Sequence, residues 1–100
     1  MTDETTLHTA ASRAKNLSLL MTRWPSVTGS PDEASFSEKL RAHLAETSYF
    51  QHHPQQLFTV DSHGEPMMQN VVALVRGSGR RTVVLAGHFD TVSIANYGTL

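Results

Sequence analysis

The chain has 100 residues and no cysteine, and its 8 basic and 9 acidic side chains give a formal net charge of −1 at pH 7. A chain of this length forms at most one small domain, and the near-neutral charge argues against nucleic acid or an anionic membrane as a partner. There is no apolar run long enough for a membrane span and no basic-then-apolar leader. We therefore expect a cytoplasmic protein whose metal sites, if any, use nitrogen and oxygen ligands.

Two amphipathic helices are predicted in the first half of the chain. Apolar residues recur at three- and four-residue spacing over Leu7–Trp24, and Pro25 ends this pattern. A second helix should begin at Pro31, because Ser30 suits the N-cap position and Glu33 completes a capping box. The apolar stripe of this second helix consists of Phe36, Leu40 and Leu44. We interpret both helices as packing surfaces rather than binding surfaces. The second helix is expected to end before Pro54.

Three β-strands are predicted in the second half: Gln56–Val60, Val71–Val75 and Thr82–Ala86. The turn-rich segment Asp61–Pro66 separates the first two. Glycines in Arg76–Arg81 permit a tight turn, so the second and third strands are expected to form an antiparallel hairpin. We disfavour a phosphate-binding loop at GSGRRT, because such a loop needs a wider glycine spacing and a following helix.

The third predicted strand leads directly into Gly87, His88, Phe89 and Asp90. Successive side chains of an extended chain point to opposite sides, so His88 and Asp90 should share one side and Phe89 should take the other. The C-terminal end of a strand in an open α/β sheet is where ligands usually bind. A carboxylate that holds one ring nitrogen of a histidine aims the other nitrogen at a metal. From the spacing alone, a metal site and a purely local hydrogen bond are equally good interpretations.

The other polar features have simpler interpretations. We interpret the remaining histidines as surface residues; they are His8, His43, His52, His53 and His63. The sequence contains no HExxH motif, which excludes the zinc peptidases that bind metal through one helix. The basic residues Arg76, Arg80 and Arg81 are expected to be solvated, with contact to an acidic substrate or partner as the lesser alternative.

The segment Gly87–Val92 resembles the first metal motif of the dinuclear zinc metallopeptidase family. That family includes aminoacylases, glutamate carboxypeptidases, succinyl-diaminopimelate desuccinylase and acetylornithine deacetylase. Ser26–Ser30 and Asn70–Val75 also follow the order of its N-terminal lobe. Ser93 and Asn96–Gly98 are most similar to the arginine-utilisation (RocB-type) branch, and the resemblance covers about residues 17–100.

The resemblance implies a partial three-layer α/β/α sandwich with a mixed sheet, of which two helices and three strands would be present. Residues 1–100 would form the N-terminal part of a truncated catalytic domain. His88 would be a ligand of one of two zinc ions, with cobalt or manganese as alternative metals. Asp90 would be the catalytic carboxylate that orients the His88 imidazole.

The same resemblance implies a function for the intact protein. It would cleave a peptide or N-acyl amino-acid amide bond with a zinc-activated water, in arginine or amino-acid catabolism, and a homodimer is one assembly open to it. The family's remaining metal ligands and its catalytic glutamate lie downstream, so we expect these 100 residues alone to be inactive. An alternative of another class is a non-catalytic protein-interaction module that retains part of the peptidase fold.

Overall fold

The structure is a computed structural model that describes residues 4–62 and 65–92, without the side chains of residues 65–67. Its helices are α1 (Glu4–Thr22), α2 (Pro31–Ala45) and α3 (Ser48–His52). A 3-10 turn at Pro54–Gln56 leads into β1 (Leu57–Ser62) and β2 (Glu65–Ala73). The described part is therefore a partial α/β fold, which confirms the predicted class. Of the sequence predictions, those on His63, Gly64, Ser93 and Asn96–Gly98 lie outside the described residues.

Helix α1 forms where the apolar spacing predicts it, but most of its predicted packing surface is exposed in the described structure. It contains no buried residue. Leu7 and Leu19 are exposed, and only the C-terminal part of its stripe, such as Leu20 and Met21, is partly covered. Three of the stripe positions are alanines, which offer little apolar area to bury. Neither α1 nor any other described helix is both long and apolar enough to cross a bilayer.

Helix α2 packs against both strands and supplies the centre of the core. Phe36 is 3 % exposed, and Leu40 and Leu44 of the predicted stripe are half-buried. The other buried hydrophobic side chains of the described part are Phe50 and Leu57. The core therefore lies between α2, α3 and the start of β1.

The N-terminus of α2 departs from the predicted capping box. Ser30 is the N-cap in extended conformation, but its hydroxyl donates to the Val27 carbonyl at 2.5 Å. The Glu33 carboxylate accepts from the Gly29 N–H at 2.9 Å, one residue earlier than a capping box requires. The cause is a tight turn over Val27–Ser30, in which the Ser30 N–H donates to the Val27 carbonyl and Gly29 has φ of +79°.

The sheet has two described strands, β1 and β2, which pair antiparallel. Leu57 lies opposite Ala73 and Asp61 opposite Gln69, with an irregularity between Asp61 and Ser62. The first predicted strand is confirmed within one or two residues. The second forms but begins earlier and ends at Ala73, and its partner is β1 rather than Thr82–Ala86.

The third predicted strand, Thr82–Ala86, is wrong for the described structure. These residues have no regular secondary structure, and the side chains of Val83, Val84 and Leu85 are 82 %, 79 % and 93 % exposed. A strand is stable only when a neighbour satisfies its N–H and C=O groups. No described segment pairs with residues 82–86, so their strand propensity is not realised.

Helix α3 was not predicted, since the sequence indicated only a polar connection before Pro54. Its Phe50 is buried, and its Tyr49 hydroxyl donates to Oε1 of Gln56 at 2.5 Å. The backbone N–H of Arg76 in turn donates to the Tyr49 hydroxyl at 3.0 Å. This chain of bonds ties α3 to the exit of β2, beyond which the backbone extends as the exposed segment of residues 77–87.

Candidate functional site

The residues that follow the exposed segment return to the body of the protein. The Thr91 N–H donates to the Ser26 carbonyl and the Thr28 N–H donates to the Thr91 carbonyl, each at 2.8 Å. Together these bonds form a parallel bridge between Val27 and Thr91. The sequence did not predict this pairing, which anchors residues 88–92 against the linker between α1 and α2.

His88 and Asp90 lie together, on the same side of the chain. Nδ1 of His88 is 3.1 Å from Oδ1 of Asp90 and 3.1 Å from the Asp90 carbonyl oxygen. Both neighbours are acceptors, so in the neutral imidazole they favour the tautomer with the proton on Nδ1 and the lone pair on Nε2. The His88 side chain is 85 % exposed, against 32 % for Asp90. The arrangement therefore offers one oriented nitrogen ligand to the solvent.

Thr28 holds the other oxygen of the Asp90 carboxylate. Its hydroxyl donates to Oδ2 of Asp90 at 2.8 Å, while Oδ1 faces His88. The hydrogen bond from Thr28 lowers the pKa of Asp90 below its ordinary value, and the contact with His88 lowers it further. Asp90 is therefore an ionised carboxylate, and each of its two oxygens has a hydrogen-bond partner.

Phe89 lies on the opposite side, as the alternation predicts. Its ring stacks on Phe36 of α2, with ring centroids 4.6 Å apart and an angle of 13° between the planes. Phe36 also makes an edge-to-face contact with Trp24, at 5.4 Å and 78°. This aromatic cluster of Trp24, Phe36 and Phe89 fixes the loop to the core while His88 and Asp90 remain accessible.

Two cavities meet at His88. The smaller cavity has a volume of about 380 Å³ and is lined by Thr28, His88, Asp90, Thr91 and Val92. The larger cavity has a volume of about 550 Å³ and lies against Trp24, Phe36 and Phe89. His88 therefore borders two open cavities, each lined by both polar and apolar side chains.

Among the side chains that the structure describes, no three histidines or carboxylates converge on a point where they could hold a metal. Among the other histidines, His43 contacts the Trp24 ring, His53 contacts the Tyr49 ring, and His52 bonds the Ser48 carbonyl. The described residues thus bring His88 and Asp90 together and leave the other described histidines outside the site. His8 is exposed on α1.

Thr28 and Ser26 are the site residues that sequence reasoning missed. The Ser26 hydroxyl is 3.3 Å from the Thr91 hydroxyl, and Ser26 itself is buried. The available signal was their place in a hydroxyl-rich linker just before a helix N-cap. That signal predicts caps and turns in general, so it could not have assigned Thr28 to Asp90.

The chain is similar to two curated proteins of Bacillus subtilis strain 168. It is 37 % identical to the protein described as "Uncharacterized protein YqjN" over 82 residues, covering 78 % of this chain and 14 % of that protein. It is 28 % identical to protein RocB over 93 residues, covering 90 % of this chain and 16 % of RocB. The chain therefore spans less than a fifth of the length of these relatives.

No protein-family model matches the chain, and no solved structure matches it significantly. The similarity to RocB, at 28 % identity, agrees with the RocB-type resemblance that the sequence motifs indicate. Membership of the wider zinc peptidase family, and the roles of His88 and Asp90, stay predictions.

Proposed function

We propose that this chain is the N-terminal segment of a metal-dependent hydrolase that cleaves a peptide or N-acyl amino-acid amide bond. The observation that carries the proposal is the bonded series Thr28, Asp90 and His88, which leaves Nε2 of an exposed imidazole free. A histidine whose other nitrogen is held by a carboxylate is the usual form of a metal-binding histidine. The similarity to RocB over most of the chain supports the same proposal, including a role in arginine or amino-acid catabolism.

In this proposal the described residues supply one metal ligand and the two residues that orient it. His88 would hold the metal through Nε2, Asp90 would fix the imidazole tautomer, and Thr28 would fix Asp90. Zinc, when bound, supplies Lewis-acid chemistry that polarises an amide carbonyl and activates water; cobalt or manganese would serve similarly. Catalytic zinc sites use about three protein ligands, so residues beyond those described must complete the site, and this chain alone would be inactive.

The test uses the intact protein that carries this segment. We expect His88→Ala to abolish metal-dependent amide hydrolysis and Asp90→Asn to reduce metal affinity or activity by about 10- to 100-fold. His8→Ala is the matched control, because His8 is exposed on α1 and does not line the cavities at His88. Full activity of His88→Ala would reject the proposed role.

A direct measurement is available on the chain itself. Titration of zinc into ¹⁵N-labelled chain should shift the ring nitrogens of His88 at lower metal concentration than those of His8. The expected affinity is weak, because a single oriented imidazole is the ligand. Equal responses of the two histidines would contradict an oriented site.

The exposure of Val83, Val84 and Leu85 favours a second candidate, a non-catalytic interaction module. An unpaired apolar segment with strand-forming residues can add to the sheet edge of a partner. In that case Val84→Lys would abolish binding of the partner, and the intact protein would show no metal-dependent amide hydrolysis. Hydrolysis that depends on His88 would exclude this alternative.

A further inference from the structure

The hydroxyl groups of Ser26 and Thr91 form a pair beside the candidate site, with their oxygens 3.3 Å apart. The two residues differ in burial. Ser26, in the linker between α1 and α2, is 4 % exposed, whereas Thr91 is exposed. The distance alone allows either hydroxyl to be the donor, so the direction of the bond follows from what each hydroxyl can do with its proton.

The buried hydroxyl is the one that has to donate. Among the described residues, the Thr91 hydroxyl is the only hydrogen-bond partner of the Ser26 hydroxyl. If Thr91 donated, the buried proton of Ser26 would have no acceptor, and an unsatisfied buried donor costs free energy. The exposed Thr91 hydroxyl can donate to water instead. Ser26 is therefore the donor, and the proton of the Thr91 hydroxyl is free for another acceptor.

The backbone of Thr91 is held on both sides of its side chain. Its N–H donates to the Ser26 carbonyl and its carbonyl accepts from the Thr28 N–H, each at 2.8 Å. The Thr28 hydroxyl lies 3.1 Å from the same carbonyl. These bonds fix the position of the Thr91 Cβ, and the Ser26 bond restricts rotation of its hydroxyl oxygen. The hydroxyl is therefore a donor whose position is set before any ligand arrives.

This donor borders both cavities that meet at His88. In the smaller cavity the Thr28 hydroxyl is already bonded to Asp90 and the Thr91 carbonyl, and Nδ1 of His88 faces Asp90. The described lining of that cavity contains an ionised carboxylate and no basic side chain. Thr91 thus supplies the uncommitted hydroxyl proton there, and an uncharged oxygen is the acceptor that the nearby carboxylate repels least.

We infer that the Thr91 hydroxyl, oriented by Ser26, donates a hydrogen bond to an uncharged oxygen of the substrate beside His88. The identification of that oxygen as an amide carbonyl rests on the proposed function. Thr91 is then a substrate-binding residue, and Ser26 is a positioning residue. The direction of the Ser26 bond rests only on the described structure and requires neither substrate nor metal.

The first experiment measures the direction of the bond on the chain itself. In an equal mixture of H₂O and D₂O, a slowly exchanging hydroxyl gives two ¹³Cβ signals, one for each isotope, and a rapidly exchanging hydroxyl gives one averaged signal. We expect two signals for Ser26 and one for Thr91. Ser37 is the control, because it is 1 % exposed and its hydroxyl donates to the Ala34 carbonyl at 2.8 Å. If Ser37 gives two signals, any other pattern for Ser26 and Thr91 would overturn the assignment.

The second experiment tests the substrate contact in the intact protein, with N-acetylglycine as the amide. Thr91→Val keeps the shape of the side chain without its hydroxyl, and we expect it to lower kcat/KM about two- to tenfold, mainly through KM. Thr91→Ser should recover most of this loss. Thr22→Val is the control, because the Thr22 hydroxyl donates to the Leu19 carbonyl within α1.

A second variant guards against a loss of folding. Thr91→Val alone leaves the buried Ser26 hydroxyl without an acceptor, whereas the double variant Ser26→Ala with Thr91→Val removes both partners. We expect the double variant to show the same increase in KM. A wild-type kcat/KM in both variants would overturn the substrate contact. An equal loss in Thr91→Ser would also overturn it, since the hydroxyl would then have only a structural role.

The His88→Ala assay separates this inference from the proposed function. Hydrolysis that depends on His88 but not on the Thr91 hydroxyl would reject the substrate contact and leave the proposed hydrolase intact. Absence of His88-dependent hydrolysis would reject the amide contact together with the proposed function. The isotope pattern of Ser26 and Thr91 decides the direction of their bond in either case.

Discussion

At the scale of single residues, the hydroxyl of Thr28 fixes the orientation of the Asp90 carboxylate beside His88. A carboxylate on an exposed loop is free to rotate unless both oxygens have partners. Here Oδ2 accepts from the Thr28 hydroxyl at 2.8 Å and Oδ1 faces Nδ1 of His88 at 3.1 Å. The bridge between Val27 and Thr91 holds Thr28 beside this carboxylate. Thr28 is thus a positioning residue, because it acts on His88 only through Asp90.

We expect Thr28→Val to raise the pKa of Asp90 toward its ordinary value, since valine keeps the shape of threonine without the hydroxyl. The Thr28 bond is the largest cause of the lowered pKa. Carboxyl ¹³C NMR across the acid range measures the change directly. Thr22→Val is the control, because the Thr22 hydroxyl donates to the Leu19 carbonyl within α1. An unchanged pKa of Asp90 would contradict the assignment.

The hydrogen bond from Thr28 to Asp90 also makes the stability of the folded chain depend on pH. The pKa of Asp90 is lower in the folded chain than in the unfolded one. Its stabilisation is therefore present above the unfolded pKa and is lost as the pH falls through the folded pKa. In denaturant titrations, the difference between wild type and Thr28→Val should shrink as the pH falls through this range. A difference that persists at the acid end would show that Thr28 acts through packing instead.

At the scale of elements, the turn before α2 sets the position of Thr28. Gly29 has φ of +79°, a region that other residues enter at a cost of about 1 to 2 kcal/mol. We expect Gly29→Ala to lower the free energy of unfolding by about that amount and to weaken the contact of Thr28 with Asp90. Nothing lies within 4 Å of a Cβ added at Gly29, so the effect would come from the backbone alone.

Gly77→Ala provides the control for this prediction. A Cβ at Gly77 also meets nothing within 4 Å, and its φ is not in the left-handed region. Chemical denaturation should give nearly wild-type stability for Gly77→Ala and a lower midpoint for Gly29→Ala. Equal midpoints would show that the turn tolerates a side chain.

Phe36 of α2 is the most deeply buried hydrophobic side chain of the described residues. The residue is 3 % exposed and contacts both Trp24 and Phe89. We expect Phe36→Ala to destabilise the fold by about 3 to 5 kcal/mol through the cavity that it leaves. Thermal denaturation followed by circular dichroism measures this, with the exposed Leu19→Ala of α1 as the control. A decrease in the free energy of unfolding below about 1 kcal/mol would show that the core does not depend on Phe36.

Elements with local signals could be predicted from the sequence, and elements that need a partner could not. Helix α2 begins at the Ser30–Pro31 start signal and strand β1 ends at a turn-rich segment, so their predicted positions are nearly correct. Thr82–Ala86 is also rich in strand-forming residues, but no described segment pairs with it. The prediction of a strand there was therefore wrong. The adjacency of His88 and Asp90 follows from alternation along the chain. Thr28 lies 62 residues from Asp90, and no local pattern could connect the two.

At the scale of the whole molecule, a packed body is joined to an exposed basic and apolar segment. The body contains the core around Phe36, and residues 88–92 return to it through Thr91. Between β2 and this return, residues 77–87 are exposed and have no regular secondary structure. The candidate site is therefore anchored from the N-terminal linker rather than by a preceding strand. This explains how His88 and Asp90 can be ordered although the adjoining apolar residues are not packed.

This division predicts where trypsin first cuts the chain. Arg80 and Arg81 lie in the exposed segment, whereas Arg41 lies in α2 and bonds to Glu38 at 2.6 Å. A protease needs an extended backbone, which α2 provides only after local unfolding. We expect brief digestion followed by mass spectrometry to show cleavage after Arg80 or Arg81 well before cleavage after Arg41. Amide hydrogen exchange should likewise be fast at Val83–Leu85 and slow in the paired part of β1. Early cleavage at Arg41, or protection of Val83–Leu85, would mean that the apolar segment is packed and that the site is anchored differently.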